Sequence, residues 1–182
     1  MLPRLLALAF VLVSTLTAGA DDWPGWLGAR RDGSTTEKVA PWKGELKVLW
    51  RKPVDEGHSS PVVAGGKVFL HTKVKSDAKD KFAERVEAFD AATGASAWKA
   101  EYDHVPFKSL FGNGPRGTPS VVDGKVYTFG ITGVLSCYDA HKGDLVWQVD
   151  TLKTFDAKNL FFGASCSPIV VGDLVSVNVG DE

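Results

Sequence analysis

Three glycine-rich stretches carry the side chains best suited to chemistry: Gly57-His58-Ser59, Phe111-Gly112-Asn113-Gly114-Pro115-Arg116-Gly117 and Phe161-Phe162-Gly163-Ala164-Ser165. Arg116 is suited to grip a carboxylate through two parallel N–H bonds. Asn113 could read a polar edge, and His58 could serve as a base or a donor. The same residue types also hold glycine-rich turns together through loop carbonyls and amides, and that is the expected role of His58, Asn113 and Arg116. No catalytic residue is expected. His58, His71, His104 and His141 share no spacing with a nucleophile, and no G-x-S-x-G turn occurs. No metal site is expected either, because no C-x-x-C or comparable ligand cluster is present. The two cysteines, Cys137 and Cys166, could pair in an oxidising compartment or lie free in strands.

The elements that position these residues repeat. Ser60-Pro61-Val62-Val63-Ala64-Gly65-Gly66-Lys67-Val68-Phe69 aligns without gaps on the segments starting at Thr118-Pro119 and Ser167-Pro168. Each reads as strand, tight turn, strand, with Gly-Gly, Asp-Gly or Gly-Asp at a turn that tolerates positive φ. A second unit, Ala88-Phe89-Asp90 through Gly94 to Trp98, aligns on Cys137-Tyr138-Asp139 through Gly143 to Trp147. Trp50 to Trp98 is 48 residues, while Trp98 to Trp147 and Pro119 to Pro168 are both 49. A period of this size with four strands per unit is that of a propeller blade. The expected fold is therefore all-β: a β-propeller of four-stranded antiparallel blades, present as an incomplete arc of about three blades plus an N-terminal closing strand. Trp50, Trp98 and Trp147 are expected to pack between blades, since a ligand needs one platform and not one per repeat. Asp90 and Asp139 open equivalent turns that they cap themselves, with Gly94 and Gly143 completing them. These seven are structural repeat elements.

With strands named A to D from the axis outward, the blades span residues 59–103 and 117–151, and a third begins over 164–182. Leu46 to Lys52 reads as a D strand that would close a blade whose other strands lie elsewhere, after a Trp-rich segment over residues 21–45. At ~49 residues per blade, the chain is expected to be a fragment of a product of roughly 400 residues. The A–B and C–D turns are short and alike, so length variation falls on the opposite, B–C/D–A face. The charged stretch from Lys73 to Arg85 lies on that face and reads as a solvated loop. Variable loops on a rigid scaffold are where a small molecule or an envelope protein would bind. Residues 1–20 read as a signal peptide: Arg4, an apolar run from Leu5 to Val13, and cleavage after Ala20. A secreted or periplasmic location follows, with no membrane anchor after cleavage. With 21 basic against 22 acidic residues, nothing in the charge favours nucleic acid.

The Phe89-Asp90…Gly94…Trp98 and Tyr138-Asp139…Gly143…Trp147 units resemble the tryptophan-docking repeat of pyrroloquinoline-quinone (PQQ) propellers. The run Asp22-Trp23-Pro24-Gly25-Trp26-Leu27-Gly28 with Arg31-Asp32-Gly33 is similar to the start of secreted, planctomycete-type PQQ-binding-like proteins. That family includes quinoprotein dehydrogenases and a propeller lipoprotein of outer-membrane assembly. The resemblance implies PQQ with calcium as the family cofactors, held in the dehydrogenases by adjacent cysteines and by Glu, Asn and Asp ligands. This sequence holds no Cys-Cys pair and no position matching those ligands. The expected function is a binding or protein-interaction scaffold, the alternative being a fragment of a PQQ-dependent oxidoreductase.

Overall fold

The computed structural model describes residues 20–74 and 82–180. The leader expected over residues 1–20 lies outside them except for Ala20. The first blade runs β1 (Val62–Ala64), β2 (Lys67–Lys73), β3 (Ala83–Asp90) and β4 (Ser96–Asp103). The second runs β5 (Ser120–Val122), β6 (Lys125–Phe129), β7 (Val134–Asp139) and β8 (Leu145–Asp150). Each is a sequential antiparallel sheet, and β9 (Ile169–Val171) pairs with β10 (Leu174–Ser176) to start a third. The fold is thus an open arc of propeller blades.

The repeat extends to its irregularities. Both complete blades shift register on strand C just before the C–D turn, between Ala88 and Phe89 and between Cys137 and Tyr138. In those turns Asp90 accepts from the Thr93 amide at 2.8 Å, and Asp139 from the His141 and Lys142 amides at 2.9 and 2.8 Å. Gly143, at φ 78°, lies flat under the preceding blade's Trp98; a Cβ there would sit 2.5 Å from the indole. Trp98 donates to the Ala140 carbonyl at 3.0 Å, and Trp50 makes the same bond to Ala91 at 2.9 Å over Gly94. Trp98 completes the core between the blades, with Val62, Phe69, Val86, Val126 and Tyr138. Full burial of each large apolar side chain of this kind contributes roughly 1.5–3 kcal/mol. Half-buried Trp147 packs on Tyr127 and on the smaller core of Phe129, Leu135 and Ala164.

Around the axis, the Ser/Thr that precedes each strand-A proline has a role beyond turn chemistry. The Ser60 amide donates to Thr118 Oγ1 at 3.1 Å, and the Thr118 amide donates to Ser167 Oγ at 3.0 Å. Each inner strand is thereby tied to the next by the repeat's own hydroxyl.

Two expectations are corrected. Residues 46–52 form no strand. A D strand ladders only against a C strand, and none lies beside them among the described residues; only Trp50 keeps its place in the repeat. The Lys73–Arg85 stretch is not simply a solvated loop. Strand β2 reaches Lys73, β3 starts at Ala83, and Glu84 is fully buried. Its middle, residues 75–81, lies outside the described residues. The linker after β8 opens with a helical turn, α1 (Thr151–Phe155), because Asp150 caps the Lys153 amide.

The N-terminal segment is part of the arc. Trp23 exchanges both backbone bonds with Val63, the Val121 amide donates to Pro24 O at 2.7 Å, and Arg31 donates to Val170 O at 3.2 Å. Val63, Val121 and Val170 each stand two residues after the repeat proline. One strap therefore crosses three inner strands at a single register.

Candidate functional site

Strand direction puts the B–C turns and D–A linkers at one end of the arc. The linkers approaching β5 and β9 carry glycines where backbones pass closely: a Cβ on Gly114 would lie 2.5 Å from Glu56 O, and one on Gly163 2.8 Å from Ile131 O. Glycine allows this approach because it has no side chain to displace.

Arg116 is the hub. Its Nε donates to Phe162 O at 2.7 Å, and one terminal nitrogen donates to Phe111 O and Gly112 O at 3.1 and 3.2 Å. One guanidinium thus ties the linker before β5 to the linker before β9. Asn113 Oδ1 accepts from the Ser109 amide at 2.7 Å, while its own amide donates to Glu56 Oε1 at 2.7 Å. Glu56 also faces Lys73 Nζ at 3.6 Å. His58 donates its backbone amide to Pro115 O at 2.8 Å, and its ring lies against Gly112.

His58 and Arg116 wall a cavity of about 570 Å³ beside the inner strands, with Trp26, Arg31, Ser165 and Cys166. That size suits a small ligand. Asn113 is not brought to it. Trp26 and Arg31 belong to the N-terminal strap, and no short-range sequence signal reports that placement. Both cysteines are free. Burial pushes the Cys137 thiol up, and Cys166 Sγ accepts from the Asn178 amide at 3.0 Å.

A second polar cluster lies deeper, between the blades. Glu84 Oε1 accepts from the Ile131 amide at 2.9 Å, Glu84 Oε2 accepts from the Tyr102 hydroxyl, and His71 Nε2 lies 3.3 Å from the same oxygen. His71 and Glu84 are fully buried. Ile131 stands in the tight B–C turn of the second blade, so a carboxylate from one blade caps a turn of the next. Gly130 leaves room for it, since a Cβ there would run into Glu84 and the Tyr102 hydroxyl.

The residues present do not fit the PQQ and calcium that the sequence resemblance implies. Cys137 is sealed within strand β7 and Cys166 sits in another blade. Glu56 and Glu84 are engaged as described. Among the described residues, no three His, Cys, Asp or Glu side chains converge on a point that could hold a metal ion.

Replacing Arg116 with alanine should free both linkers. With three charge-assisted bonds lost on a half-buried side chain, the expected loss of stability is about 1.5–3 kcal/mol. Limited chymotrypsin digestion should then cut faster at Phe111 and Phe161. Cleavage rates equal to wild type would contradict the clamp.

Blades of four antiparallel strands, each fastened to the next by a tryptophan over a glycine turn, define a PQQ-like β-propeller repeat protein. The PQQ_2 family, described as "Outer membrane protein assembly factor BamB", matches residues 34–100 and 82–182, and the chain belongs to it. The quinohemoprotein alcohol dehydrogenase ADH-IIG of Pseudomonas putida is 36% identical over 76 residues, covering 37% of this chain and 10% of the dehydrogenase. A europium-containing methanol dehydrogenase aligns at 20% identity over 66% of this chain and 20% of its own, with a TM-score of 0.44. BamB from Moraxella catarrhalis aligns at 18% identity over 67% of this chain and 44% of its own, with a TM-score of 0.39. The chain thus spans about a tenth of the dehydrogenase relative's length.

Proposed function

We propose that this chain is a binding scaffold of the cell envelope, secreted or periplasmic, which engages its partner through the B–C/D–A face. The observation that carries this reading is the use of Arg116: its N–H groups are committed to three loop carbonyls, so it builds the face rather than reacting at it. Asn113 is likewise committed to the loop backbone. A face held this way loses little conformational entropy on binding, which favours recognition. The cavity beside His58 adds room for a small group within the same surface.

A second reading, part of a PQQ-dependent oxidoreductase, is favoured by the 36% identity to a quinohemoprotein alcohol dehydrogenase over 76 residues. One titration separates the two. Full-length protein incubated with PQQ and Ca²⁺ and then desalted is expected to retain no quinone absorbance and to reduce no dye with a primary alcohol. Retained quinone with dye reduction that needs both additions would overturn the scaffold reading.

A further inference from the structure

The two D–A linkers expose an aromatic surface whose construction goes beyond loop closure. Leu110 is 97% exposed, Phe161 77%, Phe111 55% and Phe162 49%. They are not scattered. The Phe111 and Phe162 rings lie 5.2 Å apart, and Phe161 meets Phe162 edge-on at 4.9 Å. Arg116 holds the Phe111 and Phe162 carbonyls from beneath, and Phe107 packs on Gly163 as a second tie between the linkers. The rings therefore form one preorganised surface made from equivalent stretches of successive repeats. Clustered aromatic side chains over an arginine are the usual composition of a protein-binding patch, and monomers seldom leave such clusters bare.

Charge identifies the partner. Residues 105–117 and 157–166 hold three charged side chains, Lys108, Arg116 and Lys158, and no carboxylate. Lys108 and Lys158 are exposed, two residues from Leu110 and Leu160. Two carboxylates flank these stretches: Asp156, exposed two residues before Lys158, and Glu56, which the Asn113 amide and Lys73 engage, so the cations remain in excess. Three cations fall short of the clusters of about four to eight that hold a protein on an anionic bilayer. The exposed rings are Phe, whereas bilayer interfaces favour Trp and Tyr.

We propose that this surface docks a polypeptide segment with an apolar, Leu/Phe-type centre and acidic flanks, its centre on the Phe111–Phe162 pair and its carboxylates on Lys108 and Lys158. The proposal rests on the scaffold reading above and names the partner class of that face. Fluorescence anisotropy tests it with three labelled peptides: a Leu/Phe centre with Asp/Glu flanks, the same centre with Lys flanks, and a Ser/Gly centre with Asp/Glu flanks. Wild type should bind the first saturably and each of the others roughly tenfold more weakly, about 1.4 kcal/mol. The double variant Leu110→Ser/Phe161→Ser changes only exposed side chains, and an unchanged thermal melt would show that it folds. It should lose the first peptide by a similar factor. The charge swap Lys108→Glu/Lys158→Glu should lose the first peptide and gain the Lys-flanked one.

Equal affinity for all three peptides, undiminished binding by the Leu110/Phe161 variant, or no swap of preference would overturn the proposal. So would association only with phosphatidylglycerol vesicles. Those results leave the scaffold reading to the quinone titration, which fails or succeeds independently of them.

Discussion

A Glu84→Ala variant is expected to lose about 3–5 kcal/mol of folding stability, since each buried donor left without its acceptor costs about 1–3 kcal/mol. The carboxylate is fully buried and serves three donors from two blades: His71 Nε2, the Tyr102 hydroxyl and the Ile131 amide. Without it, the buried Tyr102 hydroxyl and a turn amide lose their acceptor together, and His71 Nε2 is left with the Tyr102 oxygen at 3.0 Å. Glu84→Gln keeps the shape, but its NH₂ must face one of those donors, so it should fall between wild type and alanine. The same cluster sets the acid limit. Burial works to raise the Glu84 carboxyl, but the neighbouring His71 charge and the hydrogen bonds from His71, Tyr102 and Ile131 outweigh it and hold the carboxyl below its ordinary 4.5. A carboxyl lowered in the folded state stabilises fully above its unfolded value and loses that stabilisation as pH falls through the folded one. Urea titrations should therefore show wild type weakening below pH 4.5, with that part of the decline missing in Glu84→Gln. An alanine variant within about 1 kcal/mol of wild type would remove the latch from the account.

Trp98→Ala should cost a similar amount, about 3–5 kcal/mol, as expected for deleting a large aromatic from a packed core. Its indole fills the space between Phe69, Tyr138 and Gly143, and its N–H satisfies the Ala140 carbonyl. No side chain can follow it into that space, because Gly143 has none to offer. Trp98→Phe should retain most of the packing and lose chiefly the hydrogen bond, about 1 kcal/mol. Half-buried Trp147 should be the more tolerant position. Guanidinium unfolding followed by far-ultraviolet circular dichroism gives these values directly. In Trp98→Ala the single transition should split, since this side chain joins the two blades. A single transition at the wild-type midpoint would show that the blades are held together by other means.

What the sequence made legible was whatever repeats. Proline, turn, aspartate, glycine and tryptophan recur because every blade meets its neighbour in the same geometry, so one alignment reveals both strand order and docking. What it hid is unique to one blade. Glu84 sits at the end of a run of charges that reads as solvent-facing, and only the tertiary partners His71, Tyr102 and Ile131 make its burial tolerable. The N-terminal strap was equally hidden, since pairing of Trp23 with Val63 bridges 40 residues and leaves no local periodicity. Residues 46–52 show the reverse error: a β-rich sequence forms no strand without a neighbour to pair with. At the candidate site, the sequence placed His58, Asn113 and Arg116 in loops at one end of the blades. Which of them would reach the cavity and which would bind the backbone depended on loop paths set by glycines such as Gly114 and Gly163.

The central claim is that two blades are fastened into one body and so hold the loop face in place. Residue-resolved amide hydrogen exchange tests it most directly at Ile131, whose N–H leaves its own turn to reach Glu84 in the neighbouring blade. The account predicts that Ile131 exchanges only through global unfolding, within about 1 kcal/mol of the β6 and β7 amides, and that Glu84→Ala releases it selectively. An Ile131 amide that exchanges freely in wild type, or is equally protected in Glu84→Ala, would contradict it.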